Sequence, residues 1–231
     1  MDNEIRDIIQ NIDPDDLEGL SKLVPYVKQA ISAYQWVKQK RMTLFLKTLA
    51  KSEENLTEYQ KEKLQKILSS EDGKELLAEY ADSVIRTSSR TGIAALAILY
   101  GDVDDKKFRG AFKSLAALSL EGISEEAVDL FLALSEGQRF SKLVDDKGPY
   151  KIYFCDNHFL SYFPDLNYLL NQPAEIVAIT NDLIRRRLLV PDHAYSRIGG
   201  GEVSIPFGLS ETSILFQKLL KLAREFTSTN K

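Results

Sequence analysis

A chain of 231 residues with 44% hydrophobic and 28% charged content has the composition of a folded globular protein, which excludes wholesale disorder and a membrane-embedded body. That length holds one large helical domain or, as we read it, a medium domain followed by a small one. A formal net charge of -4 sets the molecule as a whole against polyanions, and a single cysteine with two histidines excludes an intramolecular disulfide and the usual zinc ligand sets.

The first residues, MDNEIRDIIQNIDPDD, are acidic where a secretory signal is basic, and no apolar run approaches the roughly 20 residues that span a bilayer. Together with the lone cysteine this predicts a cytoplasmic protein. Residues 4–12 carry apolar side chains at helical spacing, and Asp13-Pro14-Asp15-Asp16 then offers a break and an N-cap. The next helix, with Leu17, Leu20, Leu23 and Val24, is predicted to be interrupted at Pro25, after which residues 26–51 read as one long amphipathic helix. Its Val24-Pro25-Tyr26-Val27, Ile31, Tyr34, Trp36 and Val37, followed by Lys38, Lys40 and Arg41, also fit a membrane-surface helix. Because the segment runs straight into the buried-looking LFLKTL, packing within the chain or against a partner is the more economical reading.

A further helix starts at Thr57, with Glu58 to Lys61 and Glu62 to Lys66 charge spacing outside and Leu64, Ile67 and Leu68 inside. Ser70-Glu71-Asp72-Gly73 reads as a turn or cap before KELLAEYADSVIRTSSR, whose Leu76, Leu77, Tyr80, Val84 and Ile85 recur at three- and four-residue steps. TGIAALAILYGD is small, apolar and alanine-rich, which predicts a fully buried central helix stopped by Gly101-Asp102. Helices over Phe108 to Leu118 and Ser124 to Leu134 complete a helical bundle domain of residues 1–140.

After the turn cluster Asp145-Asp146-Lys147-Gly148-Pro149, KIYFC has the bias of a short strand. Pro173 opens a helix through AEIVAITNDLIRRRLLVPD, residues 195–207 read as a hairpin around Gly199-Gly200-Gly201, and SETSILFQKLLKLAREF closes the chain as a helix. The fold class is therefore mainly α: a helical bundle followed by a small winged-helix-like α+β domain over residues 141–231.

Arg185, Arg186 and Arg187 form the densest basic feature, and with Arg197 in the hairpin they are the candidate nucleic-acid contacts of a winged helix. The competing reading is that cations complement a helix C-terminus, and lysines and arginines barely outnumber carboxylates in residues 172–231. The glycine run lacks the Lys-Ser or Lys-Thr and the following helix of a phosphate loop, so it reads as a hairpin turn. The pairs Asp156 with His158 and Asp192 with His193 mark no nucleophile, Cys155 sits in an aromatic strand, and a Cys155-His158 dyad lacks a third group. Asp13, Asp15 and Asp16, and again Asp102, Asp104 and Asp105, alternate as calcium loops do but lack the downstream glutamate and central glycine, so they read as helix caps, as do Glu125 and Glu126. No catalytic residue, metal site or cofactor is expected.

The arrangement of residues 20–100 resembles a loose class of uncharacterised bacterial proteins, some encoded near phage or defence genes, and NDLIRRRLLVPD followed by VSIPFGLSETSILFQKLLKLA, with the Phe207-Gly208 pair before the last helix, resembles the ending of abortive-infection alpha-type proteins. The resemblance implies a role in phage defence or exclusion and assigns no active-site residue. The leading expectation is a non-enzymatic module that binds a protein partner. The alternatives are a DNA-binding regulator using Arg185, Arg186, Arg187 and Arg197, and a hydrolase or nuclease assembled from distant carboxylates or histidines.

Overall fold

The structure, a computed structural model, describes residues 17–53, 57–102, 108, 110–136, 142–145, 151–155, 166, 172–191, 198–199, 202–203 and 205–228. The chain is mainly helical. Its described elements are α1 (Leu17–Glu53), α2 (Glu58–Ser69), α3 (Glu71–Arg86), α4 (Arg90–Gly101), α5 (Gly110–Leu120) and α6 (Glu125–Glu136), then β1 (Lys142–Asp145), β2 (Lys151–Cys155), α7 (Pro173–Arg185), β3 (Ile198–Gly199), β4 (Glu202–Val203), β5 (Ile205–Leu209) and α8 (Glu211–Ser228). No described helix is long and apolar enough to cross a membrane.

Helix ends follow side-chain chemistry. The Ser89 hydroxyl accepts the Gly92 N–H at 2.8 Å to start α4, and Ser124 does the same for Ala127 at 3.2 Å to start α6. At α8 the capping is reciprocal, since the Ser210 Oγ accepts the Ser213 N–H and the Ser213 Oγ accepts the Ser210 N–H, both at 3.1 Å. Pro173 opens α7, where its missing N–H costs nothing, and no side chain caps that end.

Every residue of α4 from Thr91 to Gly101 is buried, which only its run of alanine, leucine and isoleucine makes possible. It packs most extensively against α8 and also touches α3, α5 and α6. Phe45 of α1 lies 6.1 Å from the Tyr100 ring, Tyr80 of α3 meets the same ring edge-on at 5.4 Å, and Phe112 of α5 meets Phe216 of α8 at 5.0 Å. Burial pushes the Tyr80 phenol up to about 12, with smaller contributions from Glu79 and Tyr100.

The strands form a three-stranded antiparallel sheet in the order β1-β2-β5, with Tyr153 opposite Phe207 and Ile152 opposite Gly208, and a separate β3-β4 hairpin. The residues expected to close the hairpin thus divide: Glu202–Val203 pair with β3, while Ile205–Leu209 leave it to pair with β2. Asp145, read as the first residue of a turn cluster, is the last residue of strand β1. Val190 bridges Gly208 through N–H to O distances of 2.9 and 3.0 Å. A Cβ at Gly208 would come within 2.9 Å of the Val190 Cβ, so this crossing needs glycine.

Two further expectations are revised. Pro25 does not interrupt α1, which runs unbroken through it; one lost N–H and a local clash, about 3 kcal/mol or somewhat more, do not outweigh a helix of 37 residues. Leu76 is exposed, although it shares the period of Tyr80 and Val84. Compact packing divides the chain into Met1–Lys40 and Arg41–Lys231. Within Arg41–Lys231 one core takes in Phe131 and Leu134 together with Phe207, Phe216 and Leu220, with α8 packed against both α4 and α6. In Met1–Lys40 the described side chains include exposed Tyr34 and Trp36, each under the ammonium of a lysine four residues on, Lys38 at 4.3 Å and Lys40 at 4.7 Å.

Candidate functional site

Three helices, α3, α5 and α7, end around one shallow depression of about 480 Å³ lined by Arg86, Leu115, Leu118, Ser119, Glu121, Gly122, Arg185, Arg186 and Arg187. Each helix brings its last carbonyls there, with the partial negative charge of a C-terminus, so the arginines have an immediate electrostatic reason to be present.

The end of α7 is set by local hydrogen bonding. The Arg187 N–H donates to the Ile184 carbonyl at 2.9 Å and the Leu188 N–H to the Leu183 carbonyl at 3.0 Å, while Leu183 and Leu188 are both fully buried. This is a Schellman closure, and its turning residue must be left-handed. That residue is Arg187 at φ 63°, the sole non-glycine residue with positive φ among the described residues, in a place glycine fills at no steric cost. α5 closes nearby through Gly122 at φ 70°.

The three consecutive arginines have three different fates. Arg186 is largely buried: its Nε donates to Asp182 at 2.6 Å, and its Nη1 donates to the Ser119 carbonyl at 3.1 Å and to the Glu121 carbonyl. It therefore ties the end of α5 to α7. Arg185 is exposed and holds the other Asp182 oxygen at 2.6 Å. Arg187 is exposed, and among the described residues its guanidinium has no hydrogen-bond or ion-pair partner. Across the depression Arg86, at the last position of α3, donates to Glu121 at 2.6 Å. Partial burial by itself would raise the Asp182 carboxyl, but the hydrogen bonds and charges of Arg185 and Arg186 outweigh it and hold that carboxyl below the ordinary range. Leu118 completes the surface with 72% of its area exposed, beside half-buried Leu115.

A second polar constellation lies where α4 and α6 begin. Glu125 accepts from the Ser89 hydroxyl at 2.7 Å, the Thr91 hydroxyl at 2.5 Å and the Thr91 N–H at 3.2 Å. A serine beside a carboxylate invites a catalytic reading, but Ser89 is fully buried and its oxygen already accepts the Gly92 N–H. This cluster caps two helices. Sequence reading placed Glu125 in the first turn of its own helix, and its second role at α4 depends on a contact between residues 34 to 36 positions apart.

Of the four arginines read as candidate contacts, Arg185, Arg186 and Arg187 thus come together and only Arg185 and Arg187 face outward, while Arg197 lies outside the described residues. So do Asp156, His158, Asp192, His193, Gly200, Gly201, Asp13, Asp15, Asp16, Asp104 and Asp105. Gly199 ends β3, and Cys155 ends β2 with its side chain outside what is described. Asp102 caps α4, and its carboxylate accepts the Phe108 N–H at 2.9 Å. Among the described residues no group of three or more His, Cys, Asp or Glu could hold a metal ion. Arg86, Leu118 and Glu121 were not singled out by sequence, because nothing local marks them; the one local signal is the three- and four-residue spacing from Asp182 to Arg185 and Arg186. No protein-family model matches the chain, and no curated protein or solved structure matches it either.

Proposed function

We propose that the chain is a non-enzymatic protein-interaction module whose contact surface includes the depression formed by the ends of α3, α5 and α7. The observation that carries this reading is the pairing of two outward guanidiniums, Arg185 and Arg187, with an exposed leucine, Leu118, around one concavity. Arginine beside an exposed apolar side chain is the composition that protein interfaces favour. The resemblance to abortive-infection alpha-type proteins would place that interaction in phage defence or exclusion.

The second reading, a DNA-binding regulator, draws on the same arginines and on the winged-helix-like succession of α7, the β3-β4 hairpin and α8. Its support is thinner. Arg186 is committed to backbone carbonyls, the net charge is -4, and three helix C-termini lower the local potential.

Two measurements separate the readings. Labelled duplex and single-stranded DNA titrated with the protein across a salt series should give no binding even at low salt. Salt-sensitive binding that disappears in the Arg185→Ser/Arg187→Gly variant would replace the protein-interaction reading with the DNA one. A photo-crosslinking amino acid placed at Leu118 in living cells should give a discrete protein adduct that the same variant loses. A ladder of diffuse adducts unaffected by the variant would count against the depression as the contact surface.

A further inference from the structure

We infer that the depression at the ends of α3, α5 and α7 receives an acidic peptide segment, one bulky apolar side chain flanked by carboxylates, and that Glu121 is a built-in competitor for it. The inference rests on the protein-interaction reading and names the chemistry of the partner.

Charge narrows the ligand first. Arg86, Arg185, Arg186 and Arg187 face the carboxylates of Glu121 and Asp182 and three helix C-termini, each equivalent to about half a negative charge. The outward guanidiniums of Arg185 and Arg187 are charge-assisted donors that suit carboxylates, and the net charge of -4 sets the molecule against a dense polyanion. The molecule itself supplies the precedent, because Arg86 and Arg185 are each held by a carboxylate of this chain. Leu115 and Leu118 provide the apolar half, and Leu118 at 72% exposure has little else to cover it.

Conformation narrows the residue next. A left-handed turn is strained for an L-residue and free for glycine, and Arg187 occupies one with its side chain on the lining of the depression. A side chain kept where its absence would suit the fold better points to a use for the side chain. The third element is the Arg86–Glu121 pair. A ligand carboxylate taking the Arg86 Nη1 competes with Glu121, whose side chain is only about a third exposed, so the resting ion pair lowers affinity for acidic ligands in general.

The test is selection of a displayed library of short random peptides on the full chain, followed by anisotropy titration of the winning peptide against wild type, Arg187→Gly and Glu121→Gln. Sequences with acidic residues around a large apolar one should be enriched. Binding should weaken roughly tenfold in Arg187→Gly, the loss of one charge-assisted contact, and should tighten several-fold in Glu121→Gln. Opposite shifts from two neighbouring substitutions cannot come from misfolding. Enrichment of peptides without acidic excess, or binding that Glu121→Gln leaves unchanged or weakens, overturns the inference and leaves the interaction reading in place. Failure to enrich any sequence would overturn both.

Discussion

Two helix junctions in this molecule use polar side chains in opposite ways. Where α4 and α6 begin, Glu125, Ser89 and Thr91 satisfy one another's hydrogen bonding across the two helix ends. Where α3, α5 and α7 end, Arg186 satisfies the carbonyls of Ser119 and Glu121 while Arg185 and Arg187 turn outward. The first junction is held together by its polarity. The second meets the same demand with Arg186 and presents to solvent both Arg185, which shares Asp182, and Arg187, whose guanidinium has no partner among the described residues; a charge the fold does not use is where a binding function is to be sought.

The first junction should be the more sensitive to removal of a single side chain. Glu125→Ala takes the partner from two hydroxyls and an N–H and removes negative charge from two helix N-termini, which together should cost about 3 kcal/mol in a denaturant titration. Glu125→Gln should recover part of it, since an amide oxygen still accepts. A loss below about 1 kcal/mol would mean that water replaces the carboxylate and that the junction is held less firmly than its geometry implies.

At the second junction Arg186 is the structural member, and Arg186→Ala should cost about 2 kcal/mol by leaving two carbonyls and half of Asp182 without their donor. Lysine should not restore this, because one ammonium cannot reproduce the forked geometry. The acid side of the stability profile gives an independent check. Asp182 is depressed in the folded state, so its contribution is present above the ordinary value of 3.8 and is lost as pH falls through the folded value below it. Arg186→Ala should bring the folded value back toward 3.8 and so flatten the profile below pH 4. An unchanged acid limb would show that Arg185 alone holds the carboxylate.

Much of this architecture is legible in the residues, and the boundary of legibility is physical. The burial of α4 follows from an alanine-rich apolar run with polar ends, and the start of α7 from Pro173, because both depend on neighbours in sequence. The passage of α1 through Pro25 is not readable, since a local penalty is outweighed over a helix of 37 residues. Nor is the pairing of Ile205–Leu209 with β2 in place of the hairpin read over residues 195–207, because it is decided by a partner far away in the chain. At the site, the three arginines and their position near a helix end were readable. Their separation into one buried clamp and two outward charges was not, because it is fixed by the carbonyls of Ser119 and Glu121 some 65 to 67 residues earlier.

The smallest expected effect is the most discriminating. Arg187→Gly relieves the left-handed strain of about 1–2 kcal/mol, against which glycine's extra freedom in the unfolded chain takes back about 0.5–1 kcal/mol. The fold should therefore gain about 0.5–1 kcal/mol, and thermal unfolding should rise by about 2 °C for a unit of this size. The same substitution at Arg186 offers no such gain, since that residue is right-handed and bonded. If Arg187→Gly stabilises the chain while weakening an acidic ligand, stability and binding are opposed at one residue, as a site kept for its side chain requires. If it destabilises the chain instead, the guanidinium holds a structural partner after all, and the second junction is held together by its polarity like the one at Glu125.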